Sequence, residues 1–107
     1  LILLLNIQNI NTIDNELITD LEPELEILYE NKDNINIEET INHYLLLNDL
    51  IISNINSLHN LILYCMKYND IQKCNNLDLY IIKLNKLHHN NIIINVYIDM
   101  FQNLIIR

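Results

Sequence analysis

Leu58-His59-Asn60-Leu61-Ile62, followed by Cys65, Lys67, Asp70-Ile71-Gln72-Lys73-Cys74 and Leu77, is the stretch whose reading decides the fold. Apolar residues recur at steps of three and four on both sides of a short polar segment, Tyr68–Asp70. This is how one amphipathic helix ends and another begins.

Upstream, Ile41, Tyr44, Leu47, Ile51, Ile55, Leu58, Ile62 and Cys65 form one stripe, opposite Asn42, Asp49, Ser53, Asn56, Asn60 and Lys67. Seven turns of agreement predict helix over 38–69. Glu38 and Glu39 sit in its first turn, where negative charge complements the helix dipole. Asn48-Asp49 and Ser53-Asn54 are the places where it could divide in two, because short polar side chains compete for backbone hydrogen bonds.

Downstream, Ile71, Leu77, Tyr80, Ile81, Leu84 and Leu87 predict a further helix, with His88-His89-Asn90-Asn91 as its end. The β-branched run from Ile92 to Ile98 admits a strand. Tyr97, Phe101 and Leu104 recur helically opposite Asn95, Asp99, Gln102 and Asn103, so helix is expected there as well.

At the other end, Ile13, Leu17, Leu21, Leu25 and Leu28 predict a helix over 12–31, with Thr12 or Asp14 as its cap. Pro23 falls in the middle. Either the helix breaks or kinks there, which is the reading preferred, or a second helix begins with Pro23 at its first position. Asn31–Asn36 reads as a polar turn.

The whole is therefore expected to be all-α, a single domain over 1–107 or an excerpt of a longer helical array. One architecture is a stack of antiparallel helical hairpins, an α-solenoid fragment. The alternative is a three-helix up-down-up bundle with long elements at 1–31, 38–69 and 76–107.

Composition bounds the function. The 107 residues are 50% hydrophobic, with no glycine and no alanine, so a real core is available and the excess of Ile, Leu and Asn points to a biased coding sequence. Ten acids and one base lie between Asp14 and Glu39, against four acids and five bases elsewhere, in a chain of net charge −8. An acidic first third reads as a solvated helix face, or as a docking surface for a basic partner, and is a poor surface for phosphate.

No run approaches the roughly 18 apolar residues of a membrane-spanning helix, and no small-residue cleavage site follows Leu1–Leu5, so no membrane association is expected. Cys65 and Cys74 both fall in helical patterns, which fits a reducing, intracellular compartment better than a disulfide scaffold.

No catalytic or cofactor chemistry is spelled out. The cysteines are nine apart without a C-x-x-C, and His43, His59, His88 and His89 make no two-histidine metal motif. Without glycine there is no phosphate-cradling loop, and Ser53 and Ser57 lack an oxyanion context. A non-enzymatic module with no cofactor, no metal and no small-molecule substrate is expected.

The hairpin around Tyr68–Asp70 resembles a pentatricopeptide repeat. Leu58, Leu61-Ile62, Cys65, Lys67, Asp70-Ile71, Lys73, Cys74 and Leu77 occupy that unit's positions. Asn36-Ile37-Glu38-Glu39-Thr40 lies 34 residues ahead of Asp70-Ile71-Gln72-Lys73-Cys74 as a partial second copy. Phe101-Gln102-Asn103-Leu104-Ile105 echoes Leu58-His59-Asn60-Leu61-Ile62 at 43 residues, which requires an insertion within Ile82–Tyr97.

The resemblance implies an organellar protein that binds single-stranded RNA, one base per repeat, through polar side chains at Asn54 and His59 for one repeat and Gln102 for the next. The residues themselves read equally well as a protein-interaction bundle, a subunit or adaptor with a protein partner, in which His59 packs partly into a helix interface.

Overall fold

The computed structural model describes residues 17–68 and 71–106, and among them every regular element is helical. Leu17 and Ile18 are helical, and the chain then bends at Thr19–Leu21. There follow α1 (Glu22–Glu30), a 3-10 turn (Lys32–Asn34), α2 (Ile37–Tyr68), the one-turn α3 (Ile71–Cys74) and α4 (Leu77–Ile106).

Two rods dominate. At 32 and 30 residues, α2 and α4 run side by side in opposite directions: Cys65 meets Cys74 at one end, Asn48 meets Asn91 and Asn95 in the middle, and Asn42 lies beside Gln102 at the other. The result is an antiparallel helical hairpin 53 Å long. The rods coincide closely with the 38–69 and 76–107 elements of the bundle alternative. The first element of that bundle lies partly outside the described residues, as do Thr12, Ile13 and Asp14.

The stripe predicted for α2 is the stripe that is buried. Ile41, Tyr44, Ile51, Leu58 and Cys65 are buried, and Leu47, Ile55 and Ile62 are partly so. Leu61 and Asn54 join them from the flank. Asn36 starts the helix, its side-chain oxygen accepting from the Glu39 amide at 3.1 Å.

The helix does not divide at Asn48–Asn54, because the polar side chains there are engaged elsewhere. Asn54 donates to the carbonyl of Leu50 one turn back at 2.9 Å, and Asn48 accepts across the hairpin from Asn91 and Asn95. Leu58→Ala is expected to cost about 2–5 kcal/mol and Ile62→Ala about 1–2 kcal/mol, since Leu58 is wholly enclosed and Ile62 is not. Equal losses in urea titrations of the two variants would contradict this placement.

Three expectations are corrected. First, His88-His89-Asn90-Asn91 is not a helix end: α4 continues through it to Ile106. Asn90 does not compete for its own backbone. It is fully buried, and its side chain serves the chain at residues 17–21 instead. Its Nδ2 donates to the carbonyls of Leu17 (2.7 Å) and Thr19 (2.9 Å), and its Oδ1 accepts from the Leu21 amide (3.4 Å).

Second, the helix predicted to start at Ile71 stops after one turn and restarts at Leu77. The break falls at Asn75-Asn76, where the Asn76 carbonyl accepts the first α4 bond from Tyr80. Third, Cys65 and Cys74 are not separate thiols. They form a disulfide, with Cα atoms 5.5 Å apart, joining the end of α2 to α3.

Pro23 behaves simply. The bend comes just ahead of it, and Pro23 sits in the first turn of α1, where a missing N–H leaves no helical bond unmade. α1 lies against one side of the hairpin. It runs alongside α4, where Tyr29 sets its ring edge-on to Tyr97 and Phe101 at 6.3 and 5.6 Å between ring centres, and reaches α2 through Glu24.

Candidate functional site

Asn54, His59 and Gln102 are not brought together. Asn54 is buried in α2 with its amide committed to Leu50. His59 is exposed on α2 rather than packed into an interface, five residues on and about 140° around the axis. Gln102 lies beside Glu38, Ile41 and Asn42, roughly 25 Å along the hairpin from His59 at 1.5 Å per residue.

Two features occupy the side that carries α1. A cleft of about 330 Å³ is lined by Glu24, Leu28, Asn36, Glu39, Thr40, His43 and Tyr44. Glu24 and His43 also line a neighbouring cleft of about 340 Å³ with Thr19, Leu21 and Leu47. The Tyr44 hydroxyl donates to Glu24 Oε1 at 3.0 Å. Burial first, and then the hydrogen bond and charge of Glu24, raise the Tyr44 phenol well above its ordinary 10.0. Glu24, Glu39 and His43 at its rim are exposed.

The sign of the resulting pH dependence follows from linkage. A phenol harder to ionise when folded contributes stability that is complete below its unfolded value near 10.0 and is lost as pH rises from there toward the raised folded value. Unfolding free energies between about pH 9 and 11 are expected to fall more steeply for the native chain than for Tyr44→Phe. Parallel curves would mean that Tyr44 ionises freely in the fold.

The second feature is the cluster of Asp20, Glu22 and His89, whose ligand-type atoms lie within 4.8 Å of one another. His89 Nε2 stands 4.0 Å from Asp20 and 3.9 Å from Glu22, and Lys86 Nζ is 3.8 Å from Asp20. One imidazole and two carboxylates are a ligand set suited to a divalent cation. All three side chains are 43–47% exposed, and Lys86 already supplies positive charge, so the group acts as an ion-pair cluster that ties the bend at 19–21 to α4. Such exposed pairs contribute about 0–1 kcal/mol each.

The side of the hairpin away from α1 has a different character. It is marked by the contact of Asn48 with exposed Asn95. Leu45 and Ile52 lie one helical turn either side of Asn48, and Leu63 and Met66 continue that stripe along α2. Ile92 lies one turn before Asn95, with Ile81 three turns further back on α4. All six are exposed, Met66 at 72% and Ile92 at 62%. No single residue there signals a site in the sequence; only the pairing of α2 with α4 places the two stripes side by side.

Among the described residues no helix is long and apolar enough to cross a membrane. Comparison with protein-family models, with curated proteins and with solved structures finds no match to this chain.

Proposed function

We propose that this protein is a non-enzymatic helical interaction module that binds protein through the open face of the α2–α4 hairpin. The observation that carries the reading is the double stripe of Leu45, Ile52, Leu63, Met66, Ile81 and Ile92, six large apolar side chains left exposed on one side. Contiguous apolar surface of this kind marks protein contact sites.

An organellar, RNA-binding role has less behind it. The three polar positions that would read bases are dispersed, one of them is buried, and the side bearing α1 is acidic. The Cys65–Cys74 pairing is a reason to look for the protein where thiols oxidise.

A photoreactive residue in place of Ile92 tests the reading. Protein adducts from position 92, and few from a control at exposed Glu26 beside α1, are expected. Recovery of single-stranded RNA in their place, with binding that weakens steeply between low and moderate salt, would overturn it.

A further inference from the structure

We infer that the partner on this open face is a second copy of the chain, docked antiparallel to form a four-helix bundle around a two-fold axis near Ile52 and Ile92. The inference rests on the reading of that face as a protein contact and names its occupant.

Three observations select a second copy. The first is spacing. Leu45, Ile52, His59 and Met66 follow one another at seven-residue steps on α2, and Ile81, His88, Asn95 and Gln102 do so on α4. A seven-residue repeat is the period with which a helix presents a constant seam to another long helix. The open face offers two such seams, so a partner with two matching rods covers both, and the chain itself is such a partner.

The second is size. The hairpin is 53 Å long. Two helices packed 8–10 Å apart make a face about 20 Å wide, so each copy offers roughly 1,000 Å², above the ~800 Å² per partner of a standard interface.

The third is charge. Acids crowd the end of the hairpin where α1 meets the start of α2, while toward the other end the described residues carry Lys67, Lys83 and Lys86 against Asp78. A parallel pair would set the two acidic ends together. An antiparallel pair sets each beside the more basic end of the other copy, and a two-fold axis produces that arrangement. The axis then falls near the middle of both rods, where Ile52 in α2 and Ile92 in α4 sit. The Asn48–Asn91–Asn95 amide cluster lies at the same level, where polar groups within a helix seam fix register.

Sedimentation equilibrium of the purified chain over a range of concentrations tests this. A dimer is expected. Ile52→Glu and Ile92→Glu should each raise its dissociation constant at least about tenfold, because the two-fold axis brings each new carboxylate close to its own copy. Leu46→Glu, at an exposed residue off that stripe, should leave it unchanged, and all three variants should keep native helicity by circular dichroism. Raising salt should weaken the dimer by screening the paired ends.

A chain that stays monomeric while position 92 still crosslinks a different protein overturns the second-copy inference and leaves the interaction reading standing. A monomer with no adduct from position 92 overturns both. A dimer indifferent to Ile52→Glu and Ile92→Glu places the contact on another face and likewise overturns the inference.

Discussion

Asn90→Ala is expected to lower the unfolding free energy by on the order of 3 kcal/mol or more, a larger loss than most single substitutions produce. The carboxamide satisfies two carbonyls and one amide at residues 17–21, and its own atoms are fully enclosed. Truncation removes all three of these hydrogen bonds, and a buried polar group left unsatisfied costs about 1–3 kcal/mol. Asn90→Leu restores the volume and none of the hydrogen bonds, so it should recover little.

Asn90→Asp separates geometry from chemistry. It keeps an acceptor for the Leu21 amide, but ionised it has no proton for Leu17 or Thr19, and it should be the worst of the three at neutral pH and improve on acidification. Urea titrations at two pH values read this directly. A loss below about 1 kcal/mol for Asn90→Ala would show that water reaches the bend.

Phe101→Ala should cost about 3–5 kcal/mol. Its ring is 1% exposed and receives Tyr29 from α1 edge-on, so truncation empties core volume and removes the seat against which α1 is held. Beyond the global loss, amides of α1 should exchange faster relative to those of α2. If protection in α1 falls no more than elsewhere, α1 is held mainly by its leucines, among them buried Leu25.

The two substitutions show what the sequence could and could not disclose. Burial along α2 was legible because it is a local property: a helix 32 residues long repeats its own evidence, and Ile41 through Cys65 could be assigned to one face without knowing the partner. Asn90 was illegible for the opposite reason. Asn beside Asn after two histidines is what a helix end looks like, and the groups that recruit its side chain lie about 70 residues away.

The same holds at Asn48, whose tendency to break α2 is removed by amides on α4. Cys65 and Cys74 sit in patterns that say helix, and nothing local shows that the one-turn α3 carries the second onto the end of α2. The open face was half legible: its apolar residues were visible, but nothing local assigns Ile52 and Ile92 to the same side of different helices.

The Cys65–Cys74 bond makes residues 65–74 a closed ring, with the rest of the chain as two tails attached to it. A peptide bond cut anywhere inside the ring leaves a single covalent molecule, whereas a cut in either tail releases a fragment. Limited proteolysis between residues 68 and 71 would therefore be silent on a non-reducing gel and show two bands after reduction, one ending in α2 and the other carrying α4. The ring also makes α2 and α4 neighbours before either has folded: in the chain-entropy picture, closing so short a loop contributes a little under about 3 kcal/mol through the unfolded chain.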